Sequence, residues 1–232
     1  MYTTSLLYRT ILAGEHWFEY KVVINGNDVD QSGLTDVSTE YLMFSESQPT
    51  VGGCLAGELS VSLLNPSFTI PRMALVEPYV RVTDGEQVSE WIPQGKFYID
   101  TREVTNNDDD LPILSLHCYD AMLKTEADYP STTHEWPYSD TDVVQEIATT
   151  LGVGVDSRTW ELMTRNYQIS LPAGYSMREV LSNIAAMYAG NWIMNYDGAL
   201  LLVAVNGIPP ETNYLVDNIG DAITFGGDRI LV

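Results

Sequence analysis

Positive charge is scarce in this chain of 232 residues: 11 Lys and Arg stand against 32 Asp and Glu, a formal net charge of -21. Such a surface repels phosphate, which argues against a binder of nucleic-acid backbone or of an anionic membrane. Histidine is rarer still. His16, His117 and His134 are the three present, and none stands near a serine or cysteine in an activating context, so nucleophilic hydrolysis has little to build on. The 2 cysteines, Cys54 and Cys118, form no CxxC pair and suggest neither a disulfide framework nor a zinc knuckle; they read as buried thiols. No GxSxG elbow is present, and Glu15-His16 belongs to no HExxH helix motif. No segment is long and apolar enough to span a bilayer, and Met1-Tyr2-Thr3-Thr4-Ser5-Leu6 lacks the basic start and apolar run of a secretory leader. The expectation is synthesis and folding in the cytoplasm without membrane insertion. Internal repeats and low-complexity segments are also absent.

What is there is the composition of an ordered protein, 45% apolar and 10% aromatic. The length allows one large core or two modest ones, and a change of pattern near residue 125 favours two. Residues 1 to 125 read as β throughout. His16 to Ile24 is rich in β-branched and aromatic residues and runs into Asn25-Gly26, a strong hairpin signal. Ser38 to Phe44 reads as a further strand. Gly57 to Leu64 alternates Leu59, Val61 and Leu63 against Glu58, Ser60 and Ser62. Chain breaks follow at Asn65-Pro66 and Ile70-Pro71, and Pro78 precedes Tyr79-Val80-Arg81-Val82 with a turn at Asp84-Gly85. Pro93 and Gly95 suit a turn that starts the run Lys96 to Val104, in which Phe97 and Ile99 share one face. Leu111 to Tyr119 alternates again, so the two runs form a hairpin, and Asp120 is placed to N-cap a helical turn over Ala121 to Lys124.

Beyond residue 125 the pattern is mixed. A connector with two prolines runs to Ser139. Ser139 with Asp142 then opens a helix carrying Val143, Val144, Ile147, Ala148 and Leu151 and closing at Gly152. Ser176 with Glu179 opens a second, closing at Gly190. Trp192 to Tyr196 and Ala199 to Val205 flank Asp197-Gly198 as a hairpin. The fold class is therefore α+β, mainly β: an antiparallel β-barrel or sandwich over residues 1–127, then a small α+β module over 128–232 with two helices and a β-hairpin. The last residues, Phe225 to Val232, read as a strand instead of a polar tail, as in a piece of something longer.

No constellation carries a catalytic, cofactor or metal assignment. Asp28-x-Asp30-x-Ser32-Gly33 imitates the first half of a calcium loop, but the twelfth position is Thr39 and the flanks are strands. The acidic run Asn106 to Asp110 has no glycine at the bend and reads as a solvated hairpin loop. His117, Cys118 and Asp120 cannot converge on one ion, because neighbours on a strand point to opposite faces. Among 32 acids no pair stands out for glycoside cleavage. The tryptophans Trp17, Trp91, Trp136, Trp160 and Trp192 could line a sugar-binding face, but no two share one strand face, and core or interface positions explain them better.

The order of Ile24-Asn25-Gly26, the run Trp91 to Asp100, and Leu116-His117-Cys118-Tyr119-Asp120-Ala121-Met122 resembles the tail hub and tail-tip proteins of tailed phages and prophages. Val143 to Ala148 before Leu151-Gly152, then Ser176 to Leu181 and Gly190-Asn191-Trp192, are similar to the helical part that interrupts the hub barrels. The resemblance covers residues 16 to 205 and rests on structural motifs. It implies a non-enzymatic ring in the virion tail, usually a trimeric homo-oligomer, that closes the tube and meets other tail or baseplate proteins; the charge of -21, separately, would let DNA slide through a lumen with acidic walls. A second barrel and a wall-degrading or adhesin region, usual in such hubs, are not located here. A carbohydrate-binding adhesin module is the alternative, and a cell-wall hydrolase ranks last.

Overall fold

The computed structural model describes residues 4–44, 49–64, 68–106, 112–130 and 135–204, with the short strands β13 (Thr224–Phe225) and β14 (Asp228–Arg229) paired beyond them. The all-β reading of the first half is corrected at its start. Leu6–Leu12 is a helix, α1, capped by Ser5, whose side chain accepts the N–H of Tyr8 while its own amide and hydroxyl donate to Glu90 at 2.7 and 2.6 Å. Seven residues are too short a window for periodicity to separate helix from strand, and only Ile11 is buried.

β1 (Trp17–Ile24) turns at Asn25-Gly26, both at positive φ (49° and 81°), into β2 (Asn27–Asp30), as a type I′ hairpin requires. A 3-10 turn, Gln31–Gly33, leads to β3 (Leu34–Glu40). This strand lies earlier than the expected Ser38 to Phe44, because Tyr41 leaves it to donate its hydroxyl to the Gln94 carbonyl at 2.7 Å. β4 (Glu58–Leu64), β5 (Leu75–Thr83), β6 (Ile92–Pro93), β7 (Phe97–Asn106) and β8 (Pro112–Tyr119) follow. The antiparallel ladder runs β2-β1-β5-β7-β8-β4-β3, with β6 beside β5. Pro78 lies inside β5. Its carbonyl accepts from Gln94, so its missing N–H faces the side on which β5 changes partner from β7 to β6, and no ladder bond is lost.

The sheet rolls up without closing. Val22, Ile24, Leu59, Val61, Leu63, Val76, Phe97, Ile99, Leu116 and Cys118, from five strands, are each at most 2% exposed and form one interior cluster. Yet no ladder joins β2 to β3 or β1 to β3, so the sheet is a sandwich-like open barrel. Each of the larger side chains in this cluster contributes about 1.5–3 kcal/mol by leaving water. A bulge at Asp100 shifts the β7–β8 register, and from there to Asn106 every β7 residue is exposed.

Asp120 caps a 3-10 turn, Ala121–Glu126, as its position predicts. The second half then holds β9 (Tyr138–Ser139), α2 (Asp140–Leu151), α3 (Ser157–Leu162), β10 (Gln168–Ile169), α4 (Met177–Met187), β11 (Gly190–Met194) and β12 (Leu200–Ala204). The predicted caps are present: Ser139 accepts from the Asp142 amide, Gly152 sits at φ 72°, and Ser176 with Glu179 forms a complete capping box. Among the described residues a third helix, α3, joins the expected two. α3 has six residues and is fixed by tertiary contact, its fully buried Thr159 accepting the Leu202 amide at 3.1 Å. α4 closes at Ala189, at φ 50°, rather than at Gly190. Gly190 instead opens β11, where a Cβ would lie 2.7 Å from the Val203 carbonyl. The chain between β3 and β4 crosses over to pair with β11: Gly52 donates to Gly190, Trp192 to Gly53 and Leu55 to Trp192, at 2.8, 2.8 and 2.9 Å. A second apolar cluster accordingly combines Cys54, Ala121 and Met122 with Val144, Ile147, Leu181, Ile184, Trp192 and Leu200.

Candidate functional site

The residues with chemical potential are dispersed by the fold. His117 and Cys118 point to opposite faces of β8: His117 meets Glu58 at 3.3 Å and stacks edge-on to Tyr119, while Cys118 is fully buried. Burial pushes the Cys118 thiol up to about 12 and the Cys54 thiol up to about 11, so neither is a thiolate nucleophile near neutral pH. His16 bonds the Gly14 carbonyl at 2.9 Å, and His134 lies outside the described residues, as do 107 to 110 of the acidic run. Asp28 pairs with Lys21 at 3.3 Å, whereas Asp30 turns onto Ser32, accepting from its amide and hydroxyl. No group of three or more metal-ligating side chains converges among the described residues.

The tryptophans do not build a sugar platform either. Trp192 is fully buried with its ring N–H donating to the Leu181 carbonyl, and the ring of Trp91 is taken by Arg81 at 4.3 Å and Lys21 at 5.3 Å. Trp136 and Trp160 pack on the second apolar cluster, and Trp17 is 55% exposed.

Two features stand out instead. The first is the junction of barrel and module. Asp120, 1% exposed, accepts the Gly57 amide at 2.6 Å and the Met122 amide at 2.9 Å. Arg178, from α4, donates to the carbonyls of Cys54 and Met122 at 2.6 and 3.0 Å and pairs with Glu126, so one guanidinium ties three segments together. Burial pushes the Asp120 carboxyl up to about 6, partly offset by its two amide bonds and by Arg178.

The second feature is the open seam. β2 pairs only with Lys21 to Ile24 of β1, so Trp17 to Tyr20 have β5 on one side and, among the described residues, no strand on the other. β3 is likewise paired with β4 alone. A hollow of about 180 Å³ lies between them, lined by Phe18, Tyr20, Val37, Thr39, Pro78, Tyr79, Val80 and Gln94. Phe18 and Tyr20 carry on the inward face of Val22 and Ile24 but remain 41% and 43% exposed. The β-branched and aromatic residues of β1 mark it as a strand in the sequence; they cannot reveal that its edge or that of β3 stays unpaired.

An open antiparallel barrel joined to a compact α+β module defines the class. No family profile and no curated protein matches the chain. Among solved structures, the 43 kDa tail protein of prophage MuSo2 from Shewanella oneidensis superposes with a TM-score of 0.54 at 13% identity, covering 89% of this chain and 58% of that one. A tail protein from Neisseria meningitidis gives 0.52 at 14% identity, over 83% of this chain and 53% of the other. The chain thus shares the fold of phage-type tail proteins, in line with the resemblance read from its motifs, and spans a little over half of their length. No helix among the described residues is long and apolar enough to cross a membrane.

Proposed function

We propose that this protein is a structural, non-enzymatic part of a phage or prophage tail, a hub or tail-tip ring made of several copies, three being favoured. The fold shared with two tail proteins carries this reading. The separation of His16, His117, Cys54 and Cys118, and the strand edges that no described strand pairs, support it. In this reading the chain divides near residue 127 into a barrel and an α+β module, as its two apolar clusters suggest. Its place is the virion tail and its partners are its own copies and adjoining tail or baseplate proteins.

On the face opposite the buried one, β3, β4, β7 and β8 carry Asp36, Glu40, Glu58, Glu103 and several serines but no lysine or arginine; Arg102 of β7 lies on the other face and donates to the Ile70 and Pro71 carbonyls. We place that wall toward the lumen, where it would let DNA pass without adhering. Light scattering on the full-length protein, followed by electron microscopy of any oligomer, tests the proposal. A ring with this wall inward is expected; a protein that stays monomeric alone and with its neighbours, or a ring with a basic channel, overturns it.

A further inference from the structure

The geometry points to the open seam between β1 and β3 as the docking slot for one extended segment of another polypeptide, with apolar side chains inward and basic side chains outward. An inserted strand would find an unpaired backbone edge on each side, Trp17 to Tyr20 of β1 and Leu34 to Glu40 of β3, and would complete the barrel. Its inward side chains would cover the exposed Phe18 and Tyr20 and the outer part of half-buried Val37, which no strand among the described residues covers. Charge selects the outward side. Glu19 and Asp28 are already matched by Arg81 and Lys21, and Asp30 lies across the ladder from Lys21, whereas Asp36 and Glu40 form no ion pair among the described residues. A second copy, itself at -21, brings the wrong sign, so the occupant is a different chain with lysine or arginine alternating with aliphatic residues. The inference does not rest on the tail reading, since the seam and its charge stand whatever ring the protein does or does not form.

The test titrates the full chain with a capped peptide of about eight residues alternating valine and lysine, long enough to run the length of β3. One control has the same residues in two blocks, the other alternates valine and glutamate. Calorimetry gives affinity and amide hydrogen exchange gives location. The alternating basic peptide is expected to bind at least about tenfold more tightly than either control and to slow exchange at residues 17–20 and 35–40. Tyr20→Lys puts a charge on the slot floor and should weaken binding by at least about tenfold at an unchanged melting temperature; Phe18→Lys serves the same purpose if that variant does not fold. Equal binding of the block peptide would reduce the effect to bulk charge attraction and overturn the proposal. The readout is confined to the amides in these stretches that point away from β5 and β4, since the others are already bonded in the ladder; slow exchange at the seam-facing amides with no peptide present also overturns the proposal, because the occupant is then the chain itself or a second copy.

Discussion

Asp120 offers a quantitative check on the junction. Its carboxyl is pushed up to about 6 in the folded chain by burial, while an unfolded aspartate titrates near 3.9. The folded protein therefore holds this proton more tightly than the unfolded chain does. The stabilising contribution of the neutral form is fully present below about pH 4 and is lost as pH rises through about 6. A difference of about two pH units corresponds to about 3 kcal/mol. Asp120→Asn cannot titrate. It keeps one acceptor for the amides of Gly57 and Met122 and turns a donor toward the other, a fixed loss of about 1–3 kcal/mol. Urea unfolding of both proteins from pH 4 to pH 8 separates the two effects, because the other acids titrate alike in each. The variant is expected to be the less stable at pH 4 and to close the gap by about 2–3 kcal/mol toward pH 8. A gap that stays constant, or widens, refutes the reasoning: the amides and Arg178 would then outweigh burial.

Two further substitutions test the packing. Gly95 sits at φ 127°, and a Cβ there would lie 2.0 Å from the Tyr41 hydroxyl, so Gly95→Ala should cost about 2–4 kcal/mol through backbone strain and the lost Tyr41 bond to Gln94. A melting temperature within a degree or so of the parent's would contradict that. Trp192→Ala removes a fully buried ring and its bond to Leu181, and should lower stability in denaturant titration by about 3–5 kcal/mol. A loss below about 1 kcal/mol would mean that the second cluster does not depend on it.

Hairpins and caps are legible in the sequence because their causes are local. Asn25-Gly26 and Gly198 adopt positive φ for steric reasons carried by the residues themselves, and Ser139, Ser176 and Asp120 each satisfy an amide two or three positions on. Alternation likewise assigns Phe97, Ile99, Leu116 and Cys118 to one buried face. The tail-like fold was readable to that extent from the order of these signals.

Other features required partners far along the chain. α3 exists where Thr159 can satisfy Leu202, α1 where Ser5 reaches Glu90, and the chain at Gly52 to Leu55 is extended because β11 offers it an edge. The seam belongs to the same class. Whether β1 and β3 meet depends on how far the whole sheet curls, a property of twist summed over every strand between them. Short-range stereochemistry thus set the pieces of this protein, and long-range pairing decided which of their edges were left open.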